Sequence, residues 1–327
     1  MVILDLVEKL SATAEGDTIT LSITTPDQAA LAASWCERTG NTLTTVGDTT
    51  ITVRRGRPPD PIAALPPARR PGARLWLYTN FDCNLACDYC CARSSPQTAR
   101  RALGVDRVKE IAKAAPDAGV NEILLTGGEP FMLPDLDEIV TACTAVLPTT
   151  LLTNGMLWRG RRLQMLQAMP RDRLTLQISL DSATSDLHDS HRGKGTWAKA
   201  VAGIRTALGE GFTVRVAATL TTDGRHEEKE LRSFLDSLGI AHENQVIRPL
   251  AHEGAADEGL ELTVETLVPE VTITADGVYW HPVGADDDEQ LVTRDIFPLH
   301  TAIDLVREQF RTYRLTAEAS PRTFPCA

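Results

Sequence analysis

The spacing of apolar residues divides the chain into parts with different rhythms. In the first 55 residues, segments with helical spacing are interspersed with segments that alternate like strands. The predicted order is helix, strand, helix, strand, strand, over residues 4–14, 17–24, 26–38, 41–46 and 49–54. Pro26 suits the first turn of the second helix, and Gly40 suits its end. We therefore predict a small two-layer α/β domain over residues 1–55.

A proline-rich segment follows, with six prolines between residues 56 and 72. Because proline fixes φ and removes a backbone donor, no regular element is expected there. We interpret residues 56–72 as a semi-rigid linker.

From residue 75, short apolar runs alternate with amphipathic segments. The predicted strands cover residues 75–79, 122–126, 150–153, 174–180, 214–220 and 246–250. The predicted helices cover residues 105–118, 136–146, 161–169, 197–208 and 228–238. Such alternation produces a parallel sheet with helices outside, and six units are fewer than a closed barrel has. The predicted fold class is α/β, with a partial (β/α)6 TIM-like barrel over residues 73–250.

The remaining residues, 251–327, form a less regular C-terminal extension. Residues 271–274 and 277–280 flank the turn residues Ala275 and Asp276 and predict a hairpin. A helix is expected near residues 301–309.

Composition narrows the range of partners. The net charge of −11 argues against a nucleic-acid partner, which requires a basic face. No apolar run approaches the roughly 20 residues of a membrane span, and the N-terminus lacks the pattern of a signal peptide. Four of the seven cysteines lie between residues 83 and 91. Clustered thiols without an export signal indicate a metal site in the reducing cytoplasm.

The cysteine loop, residues 83–91, carries Cys83, Cys87 and Cys90 with the spacing C-x3-C-x2-C. Three thiolates can hold three irons of a cubic iron–sulfur cluster, which leaves the fourth iron open to a non-protein ligand. A zinc site with Cys91 as the fourth ligand is the alternative, although its position beside Cys90 makes it an awkward ligand for the same ion.

The second predicted barrel strand ends in Thr126-Gly127-Gly128-Glu129-Pro130. Two adjacent glycines at a strand end allow a ligand to lie against bare backbone. A carboxylate just beyond them can bind an ammonium group. Taken separately, Gly-Gly is often only a turn, and a lone glutamate is usually a solvated surface residue.

Together these motifs resemble the radical S-adenosylmethionine (SAM) superfamily over residues 75–250. The match rests on the three cysteines, Tyr89 and the Gly-Gly-Glu segment, followed by 151–155, 177–181 and 188–195. The resemblance implies one 4Fe–4S cluster on Cys83, Cys87 and Cys90, with SAM at the open iron. It also implies reductive cleavage of SAM to a 5′-deoxyadenosyl radical that abstracts hydrogen from a substrate, with an external flavodoxin- or ferredoxin-type electron donor.

The resemblance also implies a set of SAM-binding residues: Tyr89, Gly127, Gly128, Glu129, Asn154, Ser179, Asp181 and Arg192. Glu129 and the two glycines would hold the SAM amino group, and Ser179, Asp181 and Arg192 its ribose or carboxylate. Tyr89 and residues 216–220 would flank the adenine. Asn154, Ser179 and Asp181 could instead be simple caps of strand ends. His188 and His191 are predicted on a loop, in structural or solvated roles.

The extension resembles the SPASM type, which binds further clusters through about seven cysteines, but here those cysteines are missing. His281 stands where one is expected, and only Cys326 follows. A single cluster favours a redox-neutral outcome such as epimerisation, rearrangement or addition. Cys91 and Cys326 are candidate hydrogen donors to the substrate radical; the alternatives are a loop thiol and a frayed terminus.

The N-terminal domain resembles the TusA-like sulfur carriers but lacks their reactive Cys-Pro pair. We expect it to dock partners or present substrate, or, on a rival interpretation, to bind a peptide. The predicted function is a radical SAM enzyme acting on a small molecule in specialised biosynthesis. The alternatives are a maturase of a ribosomally made peptide and a non-catalytic iron–sulfur or zinc protein.

Overall fold

The fold is described from a computed structural model over residues 2–57, 60–221, 227–316 and 321–327. The chain separates into two compact units, one ending at Ala64 and the other beginning at Leu65. This boundary falls inside the segment predicted as a linker. The only helical turn in the described part of that segment is the short 3-10 helix Pro67–Arg69.

The first unit has the predicted order of elements: α1 (Val2–Ser11), β1 (Thr18–Ser22), α2 (Pro26–Thr39), β2 (Thr42–Val46) and β3 (Thr50–Arg54). The strands form an antiparallel sheet in the order β1-β3-β2. The helices cover one face of this sheet with their apolar stripes, as Leu6 on α1 and Ala32 on α2 show by being fully buried. Cys36 belongs to this core.

The second unit is built on six parallel strands with helices between them, which confirms the partial TIM-like barrel. The strands are β4 (Arg74–Tyr78), β5 (Glu122–Thr126), β6 (Thr149–Thr153), β7 (Leu174–Ser179), β8 (Thr213–Leu220) and β9 (Gln245–Pro249). The helices are α3 (Val105–Ala114), α4 (Leu136–Thr144), α5 (Arg161–Ala168), α6 (Ser185–Arg192), α7 (Thr196–Gly209) and α8 (Glu228–Ser237). Cys143 is buried on α4.

Helix α6 corrects the prediction of a loop at His188 and His191. Its sequence, SDLHDSHR, contains a single apolar residue, so the segment lacks the amphipathic pattern that predicts a helix. The fully buried His188 takes the place that an apolar residue would normally occupy.

The extension adds three strands to the barrel sheet: β10 (Thr272–Ile273), β11 (Val278–Tyr279) and β12 (Leu291–Thr293). The predicted hairpin is present, since β10 and β11 pair in antiparallel fashion. In addition, β10 pairs in parallel with β4, so the complete sheet has the order β12-β11-β10-β4-β5-β6-β7-β8-β9. Helix α9 (Leu299–Thr316) extends beyond the predicted 301–309.

A search of the helices in the described ranges finds none long and apolar enough to cross a membrane.

Candidate active site

The cysteine loop leaves the carboxyl end of β4 and lines a cavity at that edge of the barrel. This main cavity, of about 200 Å³, is lined by Cys83, Cys87 and Cys90 together. Backbone N–H groups of Leu85 and Ser94 donate to the sulfurs of Cys83 and Cys90, at 3.4 and 3.3 Å. Such N–H···S bonds support cluster thiolates. No group of three or more His, Cys, Asp or Glu side chains in the described ranges is arranged to hold a single metal ion.

Burial raises the pKa of two of the loop thiols, Cys83 and Cys87, and so favours their protonated form. Burial raises the pKa of Cys83 to about 12, against a small opposing effect of the Leu85 N–H. Burial also raises the pKa of Cys87 to about 11, although the positive charge of Arg192 opposes it. Binding of a cationic iron centre would therefore release protons from these thiols.

Gly127 and Gly128 line the main cavity and also abut the residues that precede the cysteine loop. A Cβ atom on Gly127 would lie 2.5 Å from the carbonyl oxygen of Asn80, and one on Gly128 would lie 2.2 Å from that of Asp82. The Gly128 N–H donates to the Asn80 carbonyl at 2.9 Å. The glycines are therefore required for packing the loop against β5, in addition to any contact with a ligand.

The Glu129 carboxylate is buried, and the residue is 1% exposed. It accepts hydrogen bonds from the Thr153 hydroxyl at 2.8 Å and from the N–H groups of Phe131 and Asn154 at 3.0 and 2.7 Å. Burial raises its pKa despite these donors. Among the described cavity-lining residues Glu129 is absent, whereas Asn154 is present. Glu129 thus fixes the end of β6 beside the cavity.

A second buried carboxylate, Asp181, holds two residues that do line the cavity, Arg192 and Tyr89. Arg192 donates from Nε and Nη2 to its two oxygens, and the Tyr89 hydroxyl donates to Oδ2. Burial alone would raise the pKa of Asp181, but the Arg192 charge and hydrogen bonds prevail and lower it to about 2. Asp181 therefore stays ionised and keeps Arg192 and Tyr89 in place.

The two histidines of α6 are not among the described cavity-lining residues, but they contact residues next to the cavity. His188 Nδ1 accepts the Asp181 N–H at 3.2 Å, and burial lowers the His188 pKa to about 4. His191 Nδ1 lies 2.9 Å from Oδ2 of Asp88 on the cysteine loop. Both roles are structural, as expected, although the histidines lie on a helix.

The sequence did not predict four of the cavity-lining residues, Trp76, Tyr78, Arg248 and Phe324, whereas Thr219 belongs to the predicted segment 216–220. All except Phe324 come from barrel strands, and Trp76 and Tyr78 are two positions apart on β4. Strand alternation could have paired these two residues on one face. Ser179 and Asn154, which were predicted, line the same cavity.

Both candidate hydrogen donors, Cys91 and Cys326, line the main cavity. The Cys91 sulfur lies 3.9 Å from the Tyr78 hydroxyl oxygen. Cys326 is buried, and its carbonyl accepts from Gln177 Nε2 and Arg248 Nη1 at 2.9 and 2.8 Å. The alternative of a frayed terminus is therefore wrong, because this segment is packed into the barrel.

A stretch of the extension also holds the cysteine loop. The Ala255 N–H donates to the Cys90 carbonyl at 3.0 Å. A Cβ atom on Gly254 would lie only 2.2 Å from the Cys91 oxygen and 2.4 Å from the Cys90 oxygen. Residues 254–255 thus hold the backbone that carries Cys90, the third cysteine of the C-x3-C-x2-C spacing.

Comparison with known proteins identifies the family of the domain that contains this site. Residues 77–238 match the profile of the Radical SAM superfamily. The chain is 34% identical over 169 residues to the antilisterial bacteriocin subtilosin biosynthesis protein AlbA of Bacillus subtilis, covering 50% of this chain and 37% of that protein. It is 30% identical over 175 residues to the AdoMet-dependent heme synthase of Oleidesulfovibrio alaskensis, covering 52% of this chain and 44% of that protein.

A solved structure supports the fold. Native anSMEcpe with bound AdoMet and Cp18Cys peptide superposes with a TM-score of 0.55 at 12% identity, covering 75% of this chain and 84% of that one. The chain spans less than half the length of the two curated relatives. Residues 77–238 therefore form a domain of the radical SAM superfamily.

Proposed function

We propose that this protein is an enzyme that cleaves SAM reductively and uses the resulting radical to abstract hydrogen from a substrate. The observation that carries the proposal is the convergence of three loop thiols, the Gly127–Gly128 backbone and Arg192 on one cavity. A cluster with an open iron and a zwitterionic ligand requires this combination of donors.

The chemistry of the lining residues fits a 4Fe–4S cluster on Cys83, Cys87 and Cys90. The three thiols belong to one short loop, and two of their sulfurs accept backbone N–H groups. The Ser94 hydroxyl also lies at this cavity, buried and without a partner among the described residues. When bound, the cluster supplies the electron that splits SAM into methionine and a 5′-deoxyadenosyl radical.

Of the residues proposed for the SAM site, some would contact SAM directly, and others would orient these contact residues. Backbone groups of Gly127 and Gly128 would take the amino group, and the Arg192 guanidinium would take the carboxylate. Ser179 and Asn154 would bond to the ribose, with the Tyr89 ring against the adenine. Glu129 and Asp181 act through their neighbours, because protein donors already occupy their oxygens.

The proposed substrate is a small molecule, as part of specialised biosynthesis. Phe324, Cys326, Tyr78 and Leu250 contribute aromatic and apolar surface to the main cavity. A cavity of this size with a partly aromatic lining suits a compact substrate. The similarity to an AdoMet-dependent heme synthase supports a small-molecule substrate.

We propose further that Cys91 or Cys326 returns a hydrogen atom to the substrate radical, giving a redox-neutral outcome. The thiol would donate its hydrogen atom and become a thiyl radical. An electron from the external flavodoxin- or ferredoxin-type donor and a solvent proton would then restore it. Burial raises the pKa of Cys91 to about 12, so the thiol keeps the hydrogen that this step needs.

A second candidate substrate is a ribosomally made peptide, favoured by the similarity to a bacteriocin biosynthesis protein. In that case the first unit, with its TusA-like order of elements and no reactive Cys-Pro pair, would grip the peptide. If the substrate is instead a small molecule, the first unit would dock a partner.

One assay separates these substrates and tests activity. The reconstituted full chain is given SAM, dithionite and fractions of an extract from its source organism, and 5′-deoxyadenosine is quantified. We expect a low-molecular-weight fraction to stimulate its formation, and protease treatment of that fraction to have no effect. Loss of stimulation after protease treatment would favour the peptide. No 5′-deoxyadenosine in any fraction, with cluster intact and SAM bound, would favour a non-catalytic iron–sulfur protein.

A further inference from the structure

A second cavity, of about 220 Å³, opens at the end of the barrel opposite the main cavity. Its walls include Glu122, Leu174 and Thr213, which are the first residues of β5, β7 and β8. The main cavity is lined instead by residues from the other ends of the strands, such as Ser179 and Thr219. The two cavities therefore lie at opposite ends of the barrel strands, and nothing in the proposed chemistry uses the second one.

The second cavity is cationic, although the chain carries a net charge of −11. Three guanidinium groups line it, from Arg171, Arg173 and Arg215, and Glu122 is its one acidic residue among those described. The Glu122 carboxylate is already engaged: it accepts the Thr150 hydroxyl at 3.0 Å and lies 3.6 Å from Arg74 Nε. With three arginines and one carboxylate among its described lining residues, the cavity carries an excess of positive charge, although Glu122 attracts Arg215 and Glu210 pairs with Arg171 at 3.4 Å.

One of the three arginines is committed to the fold. Arg171 donates to the Glu210 carbonyl at 3.1 Å, and its guanidinium lies 4.2 Å from the centre of the Phe212 ring. Arg173 and Arg215 differ, because neither makes a side-chain hydrogen bond or ion pair to any residue in the ranges that the structure describes. The Nε of Arg215 is sealed from solvent without a partner, which is costly for a charged group.

Hydroxyl donors complete the cavity. Thr175 and Thr213 face each other across β7 and β8, and no hydrogen bond from either hydroxyl is found within the described residues. Arg173 adopts a left-handed backbone with φ of +59°, which is unfavourable for a residue other than glycine. Strained residues of this kind often occur where a ligand is bound. The free groups in the cavity are therefore donors of two types, guanidinium and hydroxyl.

We infer that the second cavity binds a phosphate-type oxyanion, either as inorganic phosphate or as the phosphate group of a monoester. Guanidinium groups match the geometry of tetrahedral oxyanions, and charge-assisted bonds to them are strong. Arg215 and Arg173 would bind the anion directly, and Thr175 and Thr213 would satisfy its remaining oxygens. The buried Arg215 Nε would gain the partner that it lacks.

Calorimetric titration of the full chain with inorganic phosphate and, separately, glycerol 3-phosphate tests this inference. Ionic strength is held constant with chloride, so that general screening does not change. We expect one phosphate per chain, and about tenfold weaker binding or more in Arg173→Gln and Arg215→Gln. Arg205→Gln, which removes an exposed arginine from α7, should bind phosphate like the wild type. Tighter binding of the ester than of inorganic phosphate would identify a metabolite as the ligand.

Two results would overturn the inference: no binding by the wild type at millimolar phosphate, or equal affinity in the wild type and both cavity variants. Because Arg173 is exposed, its replacement does not threaten folding and keeps the test decisive if Arg215→Gln is unstable. The titration needs no cluster, SAM or reductant, so its result is independent of the proposed enzymatic activity.

Discussion

Arg192 donates to both carboxylate oxygens of Asp181, from Nε to Oδ2 and from Nη2 to Oδ1. The pair is nearly sealed from solvent, with the Asp181 side chain 3% and the Arg192 side chain 9% exposed. Only Arg192 of the two lines the main cavity. The aspartate therefore sets where the positive charge of the candidate SAM site lies.

Asp181→Asn should remove the ion pair that positions the Arg192 guanidinium. The amide cannot neutralise Arg192, and loss of one partner from a buried pair costs about 3–5 kcal/mol of folding stability. We expect a lower unfolding midpoint and SAM binding weakened by about tenfold or more, measured by equilibrium dialysis of the reconstituted protein. Asp186→Asn, at an exposed position of α6, the helix that carries Arg192, is the control. Equal SAM affinity in both variants would show that Asp181 does not position the site.

His188 should make stability depend on pH. Burial lowers its folded pKa to about 4, below its ordinary value of 6.5, so the unfolded chain takes up a proton that the folded chain does not. Stability should therefore fall as the pH falls from about 6.5 towards 4, by up to about 1.4 kcal/mol per pH unit. His188→Asn keeps an acceptor for the Asp181 N–H but loses the titration. Urea unfolding at several pH values should give a flatter profile for the variant, and parallel profiles would contradict the assignment.

Gly254→Ala should disturb the cysteine loop from outside it. The new methyl group would overlap the Cys90 and Cys91 carbonyls, and relieving such overpacking costs about 1–3 kcal/mol. We expect less iron and sulfide per chain after anaerobic reconstitution. Gly209→Ala is the matched control, since nothing lies within 4 Å of its Cβ position. Equal iron content in the two variants would mean that residues 254–255 do not support the loop.

The hydrogen-return step predicts that deuterium from solvent enters the product through the thiol of Cys91 or Cys326. Thiol hydrogens exchange with solvent, so turnover in deuterated water should place deuterium in the product. Cys326→Ala or Cys91→Ala should abolish that incorporation, while 5′-deoxyadenosine continues to form. If both variants give the same product with the same deuterium content as the wild type, neither thiol is the donor.

Much of the fold could be predicted because local patterns and long-range packing agree. β5 has the predicted bounds, since a short apolar run ends at Gly127 and Gly128. Helix α6 could not be predicted, because its buried position is a histidine whose burial depends on a hydrogen bond to the Asp181 backbone. Local sequence carries no signal of that contact.

The candidate site was likewise predictable only in part from the sequence. Cysteine spacing and the glycine pair identified the residues at one edge of the main cavity. Trp76 and Arg248 were missed because barrel strands are buried on both faces, so hydrophobicity does not reveal which side chains point inward. Phe324 and Cys326 reach the cavity only through contacts with residues such as Gln177, far away in the sequence.

The central claim is that the cysteine loop carries a cluster that cleaves SAM. The most direct test is to quantify 5′-deoxyadenosine after anaerobic reconstitution of the full chain with iron and sulfide, followed by SAM and dithionite. We predict that the wild type forms 5′-deoxyadenosine and that the Cys83→Ala, Cys87→Ala, Cys90→Ala triple variant forms neither cluster nor product, whereas Cys143→Ala retains both. Absence of 5′-deoxyadenosine from wild-type protein with an intact cluster and bound SAM would contradict the claim.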